Sequence, residues 1–166
     1  MTRWLPAYVG LGSNLDDPAR QVGAAVHALR AAPWVHSLQC STLYGSAPLG
    51  DRAQPDYCNA VVAFLTTLGS DELLARLHDT ELALGRQPAR ERWASRRIDL
   101  DLLCFGEERR ETPGLTLPHA GIVKRNFVLY PLAELAPDLW LPGMGRVAAL
   151  AGTASRAGIW PLGTIE

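Results

Sequence analysis

In the stretch ERWASRRIDLDLLCFG, residues 91–106, two aspartates stand two residues apart just after a cluster of arginines. Asp99 and Asp101 fall in an apolar run that reads as a strand over Arg97 to Phe105, and alternate side chains of a strand share a face. The two carboxylates therefore point the same way, with Cα atoms about 6.6 Å apart at about 3.3 Å of rise per residue. Ile98, Leu100, Leu102 and Cys104 take the opposite face, assigned to the core. Carboxylates so placed repel unless paired, and a divalent cation between them removes that cost. Magnesium is a hard ion that takes one or two carboxylates together with substrate phosphates, and two such ions form a clamp used in phosphoryl chemistry. The spacing alone leaves a second reading open, in which both aspartates form salt bridges with Arg96, Arg97 or Arg125 on an exposed face.

Arg86, Arg90, Arg92, Arg96 and Arg97 precede the pair. Guanidinium groups offer forked donors that match phosphate oxygens. Set before a carboxylate pair, they point to a triphosphate with its metal. Trp93 stands in this polar loop without an obvious core partner and is a candidate lid over a bound ligand. The alternative is a solvated basic loop with Trp93 tucked against the surface.

The elements that position these residues follow from periodicity. Ala7 to Leu11 reads as a strand ending in GSN. In DDPARQVGAAVHALRAAP, Asp16 or Asp17 can cap a helix, Pro18 suits its first turn and Pro33 stops it. Val22, Ala25, Val26 and Leu29 mark its buried face. Val35 to Tyr44 reads as a strand, GSAPLGDRAQPD as a loop, and Tyr57 to Thr66 as a strong strand. SDELLARLHDTELALG is an amphipathic helix with Ser70 as N-cap and Gly85 as stop, its apolar side supplied by Leu73, Leu74, Leu77 and Leu84. KRNFVLYPLAEL is a further helix, interrupted or ended near Pro131, and GRVAALAG closes the chain. The order β, α, β, β, α, β followed by helix predicts an α+β sandwich with a ferredoxin-like core.

Composition narrows the function classes. Among 166 residues, 48% are hydrophobic and 20% charged, which fits one folded domain, residues 1–166, and excludes a disordered chain. The net charge of −1 provides no global field for nucleic acid or an anionic membrane. No apolar run is long enough to span a bilayer. Cys40, Cys58 and Cys104 form neither a disulfide framework nor a C-x-x-C metal site, so the expected compartment is the reducing cytoplasm. A ferredoxin-like sheet with arginines also suits an RNA-binding module. The charge and the lack of an aromatic RNA-binding run argue against it.

ERWASRRIDLDLLCFG closely resembles the signature of the 6-hydroxymethyl-7,8-dihydropterin pyrophosphokinases of folate biosynthesis. GLGSNLDDP, APLGDRAQPDYCNA and LTLPHAGIVKRNFVLYPLAEL match the same family in order, so the resemblance covers residues 7 to 142. It implies transfer of a pyrophosphoryl group from ATP to the hydroxymethyl oxygen of a reduced pterin, with release of AMP. It also implies a monomeric single-domain enzyme, a ferredoxin-like core whose antiparallel sheet is flanked by helices in three αβα layers, and two magnesium ions. By match, Asp99 and Asp101 hold the metals. Arg86, Arg92 and Arg96 surround the triphosphate, and Trp93 closes over the reacting groups. Ile98, Thr116, His119 and Arg125 lie on the nucleotide side, and Glu81 also matches a family position. Tyr57 and Phe127 sandwich the pterin ring, Asn59 binds its polar edge, and Ser46, Pro48 and Leu49 line the remainder. Two rings plus an amide suit a flat ligand with a polar rim; taken alone, both rings also suit simple packing.

GLGSN lacks the Walker spacing and reads as a turn that lets backbone approach the pterin. The chain departs from the family at Ser95, which replaces a proline, and at Pro88, where Arg90 can substitute for a common arginine. Gly114 and Ala120 replace an arginine and an aromatic on the nucleotide side. These leave two alternatives: a paralogue that binds pterin or nucleotide without the usual catalysis, and a pyrophosphokinase for another acceptor.

Overall fold

The strand Leu5–Ser13 (β1) sets the pattern of the molecule. Ala7, Val9 and Leu11 point to one face and are buried, while Tyr8, Gly10 and Gly12 point to the other. The structure is a computed structural model that describes residues 2–48, 53–85 and 97–165. The GLG triplet, expected as a turn, is extended strand within β1, hydrogen-bonded to neighbours on both sides.

The helix Pro18–Ala31 (α1) follows, burying Val22, Ala25, Val26 and Leu29 as its periodicity predicts. Asp17 occupies the cap position at φ 62°, and its side chain makes no capping bond. The expected strand over Val35 to Tyr44 is two strands, His36–Cys40 (β2) and Leu43–Ser46 (β3). The break falls where the Ser41 hydroxyl accepts the Val61 N–H at 3.0 Å and donates to the Thr42 carbonyl at 2.9 Å. A side chain thus takes a place in the ladder that backbone would otherwise fill. The strand Tyr57–Thr66 (β4) receives both β2 and β3.

The helix Ser70–Ala83 (α2) packs Leu73 and Leu77 into the core. Its N-cap is Gly69 rather than Ser70, whose hydroxyl accepts a bond from Arg110 at 3.2 Å. Gly85 ends the turn at φ 90°, a conformation that favours glycine. The strand Asp99–Phe105 (β5) pairs with β1 and begins two residues later than expected. A register shift between Tyr8 and Val9 makes Leu103 an extra residue on β5. Cys104 therefore leaves the face of Leu100 and Leu102 and joins the opposite core, correcting the strict alternation expected along this strand.

Two small hairpins pair Arg110–Thr112 (β6) with Leu115–Leu117 (β7), and Trp140–Leu141 (β8) with Gly145–Arg146 (β9). The helix Asn126–Leu135 (α3) runs through Pro131 instead of stopping there. Burial of Val128, Leu129, Pro131 and Leu132 together outweighs the missing N–H. The helix Val147–Thr153 (α4) is followed by an edge strand, Ile159–Gly163 (β10), on the far side of β3. Pro161 conceals this strand in the sequence, although an edge is where a strand tolerates proline.

The main sheet runs β10-β3-β4-β1-β5, with β2 also on β4, and all its pairs are antiparallel. One face packs against α1 and α2, the other against α3 and α4. This is the expected three-layer α+β arrangement with a ferredoxin-like core. Glycine at positions 10 and 12 opens the second face beside α3, and the candidate site lies there.

Candidate active site

The floor of the site is backbone. A Cβ on Gly12 would stand 3.3 Å from the Asn59 Oδ1 and 3.8 Å from the Tyr57 ring, and one on Gly10 would stand 3.5 Å from Leu103. Without those side chains, a cavity of about 280 Å³ opens over β1. Gly12 pairs with Asn59 on β4 and with Asp99 on β5, while Gly10 pairs with Asp101. The register thus sets the amide and the carboxylates on opposite sides of one bare strand.

On the β4 side, Ser46, Tyr57, Asn59 and Phe127 line the cavity. Asn59 is buried, and its Nδ2 donates to the Ser46 Oγ at 2.7 Å and the Tyr44 carbonyl at 3.4 Å. Those bonds fix the amide plane, as a buried amide requires. β3 is itself braced by Glu134 of α3, which accepts from the Thr42 N–H at 3.0 Å and from the Tyr44 hydroxyl. Burial, then the bond to Glu134, pushes the Tyr44 phenol up to about 12, so it stays a donor.

On the β5 side, Asp99, Asp101, His119 and Arg125 complete the lining. Arg125 Nη1 lies 4.0 Å from Asp101 Oδ2. Arg97, a second candidate partner for the aspartates, instead donates to Asp16 at 2.7 Å. The backbone N–H of His119 donates to the Leu103 carbonyl at 2.8 Å, and the ring Nδ1 accepts the Gly121 N–H at 2.9 Å. A neutral ring in this setting carries its proton on Nε2 and is a donor there. Burial lowers the His119 pKa, nearby Arg125 lowers it further, and Asp99 opposes both. Gly121 gives Arg125 room, since a Cβ there would stand 2.9 Å from the guanidinium.

Asp99 and Asp101 offer hard oxygen donors on one face. Among the described residues, no group of three or more His, Cys, Asp or Glu gathers as a metal site. Zinc favours three or four protein ligands, whereas magnesium accepts two carboxylates and completes its shell with water and phosphate. The donor set fits magnesium.

The structure therefore brings together Ser46, Tyr57, Asn59, Asp99, Asp101, His119, Arg125 and Phe127 from the sequence candidates. Pro48 lines an adjoining cavity. Thr116 sits exposed on β7 and is not among the lining residues. The Ile98 side chain is wholly buried in the core, which leaves its main chain for any ligand contact. Leu49, Arg86, Arg90, Arg92, Trp93 and Arg96 lie outside the described residues, as do Pro88 and Ser95. Gly114 stands in the β6–β7 turn, where an added Cβ would meet nothing within 4 Å, and Ala120 is exposed beside His119.

The sequence reading of GLGSN gives the approach of backbone to the site but not its strand form, whose signal is two glycines at strand period beside a buried alternation. It also gives Glu81 no physical role. Glu81 continues the Leu73, Leu77 stripe of α2, is buried, and accepts the Leu100 N–H at 2.7 Å. Asn14 is buried too and donates to Gln54 and to the Pro55 carbonyl, each at 3.2 Å, tying the end of β1 to the segment before β4.

Residues 8–137 match the family described as 7,8-dihydro-6-hydroxymethylpterin-pyrophosphokinase (HPPK). A 2-amino-4-hydroxy-6-hydroxymethyldihydropteridine pyrophosphokinase of Pseudomonas aeruginosa is 47% identical over 136 residues, covering 81% of this chain and 83% of that protein. The protein of the same name from Haemophilus influenzae is 43% identical over 146 residues, covering 88% and 91%. Among solved structures, wild-type HPPK-DHPS of Plasmodium falciparum superposes with a TM-score of 0.67 at 12% identity. That match covers 90% of this chain but only 41% of the longer one, and it carries the fold alone.

Proposed function

We propose, from the premise that this chain belongs to the 7,8-dihydro-6-hydroxymethylpterin-pyrophosphokinase family, that it transfers pyrophosphate from ATP to 6-hydroxymethyl-7,8-dihydropterin and releases AMP. The observation that carries this reading is the shared pairing of Gly12 with Asn59 and Asp99. It sets an amide-and-aromatic half and a carboxylate-and-cation half in one cavity.

In this reading Tyr57 and Phe127 cover the pterin faces, and the Asn59 amide, held by Ser46, meets its polar rim. The hydroxymethyl group then points across Gly12 toward β5. Its oxygen forms a bond to the β-phosphorus while the bond from that phosphorus to the α-bridging oxygen breaks, and AMP leaves with the electron pair. The hydroxyl proton is lost to water. Asp99 and Asp101 would hold magnesium, which would supply charge neutralisation to the phosphates when bound. Arg125 and the His119 Nε2–H add donors to phosphate oxygens, and Arg86, Arg92 and Arg96 are assigned the same task from sequence. Catalysis is positioning and charge compensation. Residues 1–166 act as one domain and as a monomer.

The test is product analysis with ATP, magnesium and 6-hydroxymethyl-7,8-dihydropterin. AMP that forms only with pterin and metal is the expected result. ADP in its place would mean attack at the γ-phosphorus and overturn the proposal.

A further inference from the structure

The two walls of the pterin half belong to different elements. Ser46 and Asn59 stand on β3 and β4, and Phe127 stands in the first turn of α3. At the far end of α3, Glu134 ties the helix to β3 through Thr42 and Tyr44. At the near end, where Phe127 stands, a second cavity of about 310 Å³ lies between the walls, bordered by Ser46, Ala47, Phe127 and the segment after α4. Among the described residues, an open cavity rather than packed side chains separates the walls at that point.

The segment after α4 bridges the gap. Asn126 uses its Nδ2 to donate to the Ser155 carbonyl at 2.8 Å and the Ala157 carbonyl at 2.9 Å. The Tyr130 hydroxyl donates to the Ala154 carbonyl at 2.7 Å, and the Arg156 guanidinium lies 5.5 Å from the Tyr130 ring centre. Those contacts fasten one end to α3. At the other end the Ala47 N–H donates to the Gly158 carbonyl at 3.1 Å, and β10 pairs Ile159 with Ser46 and Trp160 with Gly45. The Trp160 indole lies against the bare Cα of Gly45, where a Cβ would stand 2.5 Å from Cε2. This segment lies beyond the family match, which ends at residue 137.

We propose that residues 154–160 form a strap that sets the width of the pterin pocket, with Asn126 and Trp160 as positioning residues acting through Phe127 and Ser46. The proposal rests on the pterin reading of that half. Neither residue is among those lining the main cavity. Loosening the strap moves one wall relative to the other and leaves Asp99, Asp101 and His119 in place.

The test uses the full chain and two variants that act at opposite ends. Asn126→Ala removes both bonds on the α3 side, and Gly45→Ala drives Trp160 off β3 from the face remote from the pocket. Dissociation constants are measured separately for 6-hydroxymethyl-7,8-dihydropterin and for a non-hydrolysable ATP analogue with magnesium. Both variants are expected to weaken pterin binding on the order of tenfold, because small misplacements of a binding wall cost that much or more. Nucleotide binding should stay within about twofold of wild type. Gly45→Ala/Trp160→Ala should recover part of the loss shown by Gly45→Ala. If the wild type binds pterin and both variants bind it equally well, the strap has no positioning role and the substrate reading stands. An equal loss for pterin and nucleotide would overturn the strap as well, since it signals general unfolding. A wild type that binds no pterin removes the substrate reading and the strap with it.

Discussion

The carboxylate of Glu81 accepts the backbone N–H of Leu100 at 2.7 Å, at a point on β5 between Asp99 and Asp101. Among the described residues, β5 is the last strand of the sheet, paired with β1 on one side. Glu81 reaches across from α2 and occupies the side where a further strand would pair. Glu81→Ala removes that acceptor from a buried N–H, which costs about 1–3 kcal/mol. A fall in Tm of a few degrees is expected, at about 2–4 °C per kcal/mol for a chain of this size. Glu81→Gln keeps an acceptor oxygen and should recover most of it. Thermal melts of the three proteins decide the matter, and an Ala variant as stable as wild type would show that this edge holds itself.

The glycine floor makes a steric prediction. Gly12→Val places carbon where Asn59 and Tyr57 border the cavity, and pterin affinity should fall by at least about tenfold. Gly23 is the control: it lies inside α1 with nothing within 4 Å of a Cβ. Gly23→Ala should leave binding unchanged and raise stability by about 0.5–1 kcal/mol. Calorimetric titration of both variants with pterin would expose the floor as irrelevant if Gly12→Val bound like wild type.

Removing charge from β5 tests the metal assignment. Asp99→Asn and Asp101→Asn keep size and hydrogen-bonding atoms but cannot balance a divalent cation. Turnover should drop by about a thousandfold or more while circular dichroism stays unchanged. A variant with near wild-type rate at ordinary magnesium concentration would end the role of that aspartate.

His119 gives a pH dependence with a defined sign. Burial, then Arg125, holds its folded pKa below the ordinary value, with Asp99 opposing. As pH falls from about 6.5 toward that lowered value, the unfolded chain binds more protons than the folded one. The contribution to stability is therefore fully present above about pH 6.5 and is lost as pH falls through the folded pKa. Wild type should lose Tm relative to His119→Gln over that window. Parallel curves would contradict it. Because Gly121 occupies Nδ1, His119→Gln, which places an amide nitrogen near the Nε2 position, should also retain more activity than His119→Asn.

Much of this was legible because it rests on local periodicity. The buried face of α1 and the shared face of Asp99 and Asp101 follow from spacings of 3.6 and 2. What escaped depends on partners distant in sequence. The split at Ser41 needs Val61, the turn of Cys104 into the second core needs the irregular pairing of Tyr8 and Val9, and the passage of α3 through Pro131 needs the sheet beneath it. The site divides the same way. Residue types nominated Asn59 and the aspartates, but only the register shows that both face each other across Gly12.

That register has a consequence for the choice of acceptor. Asn59 and Asp99 are each one strand from Gly12, so their backbones stand two sheet spacings apart, about 10 Å. The sheet is thereby a gauge block, and its length is fixed by peptide hydrogen bonds that every side-chain replacement inherits unchanged. An acceptor whose polar rim and nucleophilic oxygen are spaced a few bonds too long cannot satisfy both ends at once. Point substitutions along the walls can loosen the grip on the acceptor, but re-gauging the pocket to a longer molecule would take a change in strand pairing itself.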